Sequence, residues 1–466
     1  MSPEEEKESP EKEFAGNTSL HGLNRIVIAP SGYFRVLWVL AILSSYSGFA
    51  YMFSTMIIDY FSYNTITDTK LEFDDEVIFP AVTVCNMNKF DEGKLKIIDF
   101  VYLSMFLYAV QLDVDTIIAG GAIPDETVNS TTEGMNVEDL LLQKGFDIHW
   151  NRMPLCIWKG VHCTERNFTH SFGHYGNCYT FNADADNPLK QSMQGSSQGF
   201  MAFIDLKVDE YTETYTASGN AEVGLKLLVH DPREPPMMDT QGIALAPGNH
   251  ALVSVKQILY ENHVPPWGVC DDRQLEYYDT YTLNGCYLEC RSKHVVSNCS
   301  CRPYNLPGTA PTCDPTTMFT CVNDVLDQVI RGELKCDCPV PCSMTSYSTS
   351  VSYAGWPNRH TRTYLAPYWG MDADYITANG VVFSVFYEKL NYQKITELKA
   401  MDGGQLASNI GGMMGLFIGA SLLTLLEVWE YLWQRLKGFL GKHRRPTVID
   451  VKTQPHDIER GIVFHK

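Results

Sequence analysis

Two uninterrupted apolar runs set the plan of the chain. Val36 to Ile58 is 23 residues without one ionisable side chain, and Leu406 to Leu426 is 21, ended by Glu427. At 1.5 Å rise per residue either run crosses a hydrocarbon core of roughly 30 Å. The first run begins too far along the chain, and is too long, for a simple cleavable signal peptide. Phe100 to Leu112 is also apolar, but its 13 residues fall below spanning length. The pattern therefore predicts a terminal segment 1–35, a span 36–58, an external domain 59–404, a span 405–428 and a second terminal segment 429–466. Between the spans the periodicity changes. Val223, Leu225, Leu227 and Val229 alternate as in a strand, and Phe200 to Val208 and Val381 to Phe386 are further β-rich runs. Asn136 with Asp139 resembles a capping box opening a helix over Val137 to Lys144. Val322, Val325, Leu326, Val329 and Ile330 share one helical face. The fold class expected is an α+β membrane protein, two transmembrane helices flanking a large domain with a β core and peripheral helices.

Fourteen cysteines change the picture, because all of them lie between Cys85 and Cys342, within the segment bounded by the spans. Cysteines so confined indicate an oxidising compartment and a disulfide-rich external domain. Three glycosylation sequons, at Asn129, Asn167 and Asn298, fall in the same segment. The basic cluster Arg435, Lys437, Lys442, Arg444 and Arg445 follows the second span and belongs on the cytosolic side. Both termini are thus expected in the cytosol of a two-span plasma-membrane protein, which makes Asn17-Thr-Ser a false sequon. From Asp59 to Gly404 there are 24 Lys plus Arg against 44 Asp plus Glu, a balance of 24 − 44 = −20. That charge concentrates cations near the membrane or serves solubility alone. With a sequence pI of about 5.1 it also argues against a nucleic-acid partner.

The second span is unusual for a simple anchor. It holds Gly411, Gly412, Gly415 and Gly419 with Ser408, Asn409, Ser421 and Thr424. Small residues serve close helix packing, whereas polar ones face a bundle interior or a water-filled path. Glu427 and Glu430 share a face just beyond it and would form an inner acidic ring in a symmetric oligomer.

Gly411-Gly-Met-Met-Gly-Leu-Phe-Ile-Gly-Ala-Ser421, with Leu-Leu-Thr-Leu-Leu-Glu427 after it, resembles the second span of the epithelial sodium channel/degenerin/acid-sensing ion channel superfamily. Its Gly-Ala-Ser selectivity filter is present as Gly419, Ala420 and Ser421, and its His-Gly motif as His21 and Gly22. Phe79-Pro-Ala-Val-Thr-Val-Cys-Asn86, Tyr175-Gly-Asn-Cys-Tyr-Thr-Phe-Asn182 and Ser297-Asn-Cys-Ser-Cys301 match further landmarks in the right order. The resemblance implies disulfides Cys85–Cys178, Cys156–Cys163, Cys270–Cys342, Cys286–Cys338, Cys290–Cys336, Cys299–Cys321 and Cys301–Cys313. It implies a homo- or heterotrimer of related subunits around one pore, each with a β palm, a β-ball and a helical finger, thumb and knuckle. His21 and Gly22 would support the filter from below, and Ser408, Asn409 and Gly412 would form the outer gate. Tyr63 and Trp267 would couple the external domain to the pore, or simply pack at an interface. Sodium would be the permeant ion, an amiloride-like molecule the blocker, and no cofactor or structural metal is expected.

Departures from the family pattern bear on the trigger. Ser408-Asn409 stands where acid-sensing members carry Gly-Asp, and Asn64 and Thr65 replace two of their histidines. In the thumb, Asp327 keeps an acidic position while Asn323 neutralises another. Fewer groups titrating near neutrality favour an extracellular cationic neuropeptide as agonist, as in the invertebrate neuropeptide-gated sodium channels, over a proton. Proton-gated or constitutively open sodium channels of the same family are the alternatives. More distant are an ATP-gated cation channel, which would want a dense basic run, a membrane-tethered ectoenzyme, and a structural or adhesion subunit that shares the fold without conducting. Gly195-Ser-Ser-Gln-Gly199 fits a nucleophile elbow by letter but precedes a strand-like run instead of a helix, so no enzyme activity is expected.

Overall fold

The computed structural model describes residues 10–95, 136–211 and 222–442. The apolar run Phe100 to Leu112 and the sequon Asn129 lie outside them. The chain forms two compact units, one made of the segments before Thr65 and after Leu398, the other of Thr65–Leu398.

In the first unit, Gly32–Phe61 is a single 30-residue helix, the one unbroken helix among the described residues long and apolar enough to cross a membrane. Met56 is its one buried side chain, so its apolar surface is left for lipid or neighbouring chains. The second apolar run is not one continuous helix. Gly403–Met413 continues as a π-helical turn over Met414–Ile418, the backbone breaks at Gly419–Ser421, and Leu422–Lys442 leaves at a bend of 69°. Short helices at Pro10–Asn17 and Leu23–Ile28 precede the first span.

The second unit is built on two sheets. The larger has seven strands, ordered Ser343–Gly355, Asn249–Glu261, Gly380–Lys399, Phe200–Asp205, Leu155–Trp158 and Val161–His162, with Thr65–Phe73 also paired to Gly380–Lys399. Asn249–Glu261 and Gly380–Lys399 run parallel. The smaller is antiparallel, ordered Ile243–Leu245, Leu225–His230, Ala81–Asn86, Gly176–Phe181 and Phe168–Gly173. These are the palm and the β-ball. One core joins them: Val82, Val84, Phe181, Leu225 and Leu227 from the smaller sheet meet Phe200, Ile204, Val253, Val255 and Phe383 from the larger. Phe181 and Phe200 stack at 4.1 Å between ring centroids. Ala81–Asn86 is buried at all six positions, which is why this strand shows no alternation in sequence.

The expected strand over Phe200–Val208 ends earlier, at Asp205, where the chain turns into a short 3-10 segment at Val208–Glu210. The helix Val137–Lys144 is capped by the Asn136 side chain, which accepts from the Glu138 N–H; Asp139 makes no reciprocal bond. The thumb is the helix Leu283–Cys299 with Asn323–Ile330 beside it. Val322 and Val325 are buried there against Val295 and Tyr304, but Ile330, expected on the same face, is 75% exposed. Gly195–Gly199 forms a tight turn running into the strand Phe200–Asp205 and not into a helix.

Seven disulfides join the pairs that the family resemblance implies: Cys85–Cys178, Cys156–Cys163, Cys270–Cys342, Cys286–Cys338, Cys290–Cys336, Cys299–Cys321 and Cys301–Cys313. His294 lies close to Cys290 and Cys336, but the bond between those two sulfurs leaves no thiolate to hold a metal. Five of the seven bonds staple the thumb and its base, whose own cluster of buried side chains is smaller than the core between the sheets.

The stacked seam generates a prediction. Phe200→Ala removes a fully buried ring and should cost about 3–5 kcal/mol, read as a clear fall in the melting midpoint of the detergent-solubilised chain. Tyr364→Ala, at a site 70% exposed, should stay within about 0.5 kcal/mol.

Candidate functional site: a broken span and its N-terminal brace

The break in the second apolar helix frees backbone groups that lipid cannot satisfy. Internal partners satisfy them. The Gly419 N–H donates to the Gly415 carbonyl at 3.1 Å and the Ala420 N–H to the Met414 carbonyl at 3.2 Å. The Ser421 N–H donates to the Thr424 hydroxyl at 3.0 Å, and the Thr424 N–H returns to the Ser421 hydroxyl at 3.4 Å. The Ile418 carbonyl takes the His21 N–H at 3.0 Å, from a segment 397 residues earlier in the chain.

The N-terminal segment is pinned along the same face. The Thr18 hydroxyl donates to Glu427 Oε2 at 3.1 Å, the Ser19 N–H at 3.0 Å and the Ser19 hydroxyl at 3.3 Å. Ser19 and the buried Thr424 share a hydroxyl–hydroxyl bond of 2.5 Å. Phe14 packs on Tyr431 at 4.6 Å, and Arg435 pairs with Glu11. From the first span, the Ser45 hydroxyl donates to the Phe417 carbonyl at 2.5 Å.

Gly419 has φ +68°, a left-handed conformation in which a Cβ would collide with the His21 ring. Gly22, at φ +87°, turns the chain where a Cβ would meet Ile42 of the first span at 2.9 Å. His21-Gly22 and Gly419-Ala-Ser421 are thus brought together. Glu430 points elsewhere and accepts from Gln434 at 3.2 Å. Ser408, Asn409 and Gly412 line a cavity of about 410 Å3 against Met52, Thr55, Met56 and Asp59 of the first span. Tyr63 sits just past that span with φ 52°, its ring edge-on to Phe61 at 6.2 Å. In the other unit, Trp267 belongs to a loop in which the Gly268 N–H donates to the Val264 carbonyl at 3.2 Å and the His263 N–H to Glu397 at 2.8 Å.

The unit Thr65–Leu398 holds a second candidate, a cavity of about 1190 Å3 between the β-ball and the thumb. Glu234, Asp239 and Asp327 line it with Met237, Met238, Leu326 and Ile330, and Asn323 stands near Asp327. Arg302 at its wall is tied to Glu138 at 2.8 Å, and Arg233 to Asp231 at 2.7 Å. Burial, with the Asp231 charge adding to it, pushes the Glu234 carboxyl up to about 7. His230, fully enclosed and hydrogen-bonded to Thr83, is pulled down to about 4 by the same loss of water.

Residues 14–431 match the family model described as amiloride-sensitive sodium channel. The chain belongs to that family. It is 34% identical over 457 residues to acid-sensing ion channel 1C of Danio rerio, an alignment covering 93% of this chain and 86% of that one. It is 30% identical to the bile acid-sensitive ion channel of Mus musculus, over 91% of this chain and 87% of the other. Identity to acid-sensing ion channel 2 of Rattus norvegicus is 32%, over 92% and 88%. The protein is therefore a sodium channel of the epithelial sodium channel/acid-sensing channel superfamily, whose members are ion channels and not enzymes and assemble from related subunits.

Within that family the residues legible beforehand are the motif positions. Thr18 and Ser19 escaped sequence reasoning, a small-hydroxyl pair just before His-Gly being the available signal, and Thr424 was legible only as a polar position of the span, not as the partner of Ser19 and Ser421.

Two predictions follow from this geometry. Gly419→Ala forces a Cβ against His21 at a left-handed position, which costs about 1 kcal/mol in backbone alone. The reversal potential in mixed sodium and potassium should move toward non-selectivity, with surface expression retained. Glu234 has a native pKa above its unfolded value of about 4.5, so the native state holds an extra proton between about 4.5 and 7. Its contribution to stability is full below that window and is lost as pH rises through about 7. Glu234→Gln should raise the melting midpoint at pH 8 and change it little at pH 5.

Proposed function

We propose that this chain is the pore-forming subunit of a plasma-membrane trimer, alone or with related subunits, with both termini in the cytosol and the cysteine-rich unit outside. Sodium passes a narrowing at Gly419, Ala420 and Ser421. Backbone carbonyls and small side chains replace part of the ion's hydration shell there. The observation that carries this reading is the braced break at Gly419–Ser421, with Gly419 left-handed and His21 directly against it. Ser408, Asn409 and Gly412 form the outer gate, Glu427 and Glu430 stand at the inner end, and an amiloride-like cation blocks. Tyr63 and Trp267 carry movement between the external unit and the pore. Asn167 and Asn298, both exposed, carry glycans, as does Asn129.

The agonist is an extracellular cationic peptide, seated in the cavity between β-ball and thumb. Glu234, Asp239 and Asp327 there suit a guanidinium, and Met237, Met238 and Leu326 suit an apolar neighbour on the ligand. If each of three sites favours the open state tenfold, the three supply roughly 4 kcal/mol, close to the ~5.5 kcal/mol of near-complete switching. One observation favours a second reading, proton gating: Glu234, pushed up to about 7, titrates in the physiological range.

Peak currents on acidification to about pH 5 and on application of Arg-containing amidated peptides separate the two readings. Peptide-evoked sodium current with little response to acid is expected. Large transient acid currents with no peptide response, in homomers and plausible heteromers alike, overturn peptide gating. Ser408→Trp should raise resting current; unchanged resting current in a variant shown at the cell surface removes Ser408 from the gate.

A further inference from the structure

The first span carries two ionisable side chains, Arg35 near one end and Asp59 near the other. Twenty-four residues of helix put them about 36 Å apart, at opposite faces of a bilayer. Asp59 lines the cavity shared with Thr55, Met56, Ser408, Asn409 and Gly412, and no basic side chain is among that lining. It is exposed and makes no hydrogen bond or ion pair among the described residues. A membrane-edge charge kept without a partner is costly unless it acts on something mobile. Ser408 and Asn409 beside it are neutral, so this carboxylate is the full charge of the cavity.

We infer that Asp59, from the first span, supplies the negative charge that concentrates permeant cations at the outer end of the conduction path. It is a specificity-determining residue for sodium entry, and each copy in an oligomer adds one such carboxylate. The inference rests on Ser408 and Asn409 standing at the outer mouth. The carboxylate acts through space, so its effect is strong at low ionic strength, where the screening length is about 30 Å, and fades toward 1 M, where it is about 3 Å.

A thiol reporter tests this without requiring the channel to open. All fourteen native cysteines are paired, so Ser408→Cys introduces the sole free thiol of the purified full-length chain. The ratio of its modification rates by a cationic and an anionic methanethiosulfonate reads the local potential, because one unit charge nearby speeds one reagent and slows the other. Adding Asp59→Asn should lower this ratio about threefold to tenfold near 10 mM salt and by little near 500 mM. Asp59→Glu should keep it high, and moving the charge across the cavity with Asp59→Asn plus Asn409→Asp should restore it. In single-channel records, Asp59→Asn should likewise reduce unitary sodium conductance at low salt and converge on the parent at high salt. A rate ratio indifferent to Asp59→Asn, or a conductance lowered by the same factor at every salt concentration, overturns the inference. Failure of the gate reading shows separately, as a Ser408→Trp variant with unchanged resting current beside an intact Asp59 effect.

Discussion

A helix broken inside a membrane must find partners for the N–H and C=O groups it releases, and that constraint organises the membrane unit of this channel. Each unsatisfied group would cost several kcal/mol in hydrocarbon. The break at Gly419–Ser421 is closed by its own helix on one side, through Gly415 and Met414, and by the Thr424 hydroxyl on the other. The Ile418 carbonyl is closed by His21, and this bond makes the N-terminal segment part of the break's support. The segment needs anchoring in turn, which Glu427 provides by accepting three hydrogen bonds on one oxygen. Bonds to a carboxylate are stronger than neutral ones, so the brace is fixed by its strongest contacts just beyond the break.

The cysteine-rich unit solves a different problem. Its two sheets share a core rich in fully buried Val and Phe, and hydrophobic burial alone can hold them. The thumb cannot rely on that, since its cluster is small and its helix surface is largely polar. Cross-links close loops of 22 and 12 residues at Cys299–Cys321 and Cys301–Cys313. In the chain-entropy account a loop near 15 residues is worth about 3 kcal/mol. The thumb is thereby kept rigid without a large core.

Legibility in the sequence followed the range of the interactions. The first span was plain because an apolar run of that length has few other meanings, although the helix extends to Gly32 and Phe61, beyond the charge-free window. The strands Leu225–His230 and Gly380–Lys399 were visible from alternation or β-branched content, whereas Ala81–Asn86, buried on both faces, offered no period. The break in the second span was hidden. A run of Gly411, Gly412, Gly415 and Gly419 is equally good as a packing stripe, and only His21 and Thr424 make Gly419 the place where the helix turns. The partners of Glu427 were hidden for the same reason: Thr18 and Ser19 lie some 408 residues away and carry no pattern of their own. Ile330 was misplaced because a helical face predicts burial only while something packs on it, and the packing reaches Val322, Val325 and Leu326 but not the last turn.

Two carboxylates at the ends of the same bundle illustrate why charge counting alone says little about conduction. Glu427 is hydrogen-bonded, its Oε2 occupied by Thr18 and Ser19, so one of its two carboxylate oxygens is committed to structure. Asp59 is exposed with its full capacity available. On the conduction path proposed above, a cation would meet a free charge at one end and a partly committed one at the other, separated by a belt that offers only backbone and hydroxyl dipoles. Such a sequence of environments would favour dehydration at the proposed belt, where no fixed charge would hold the ion long enough to stop the flow.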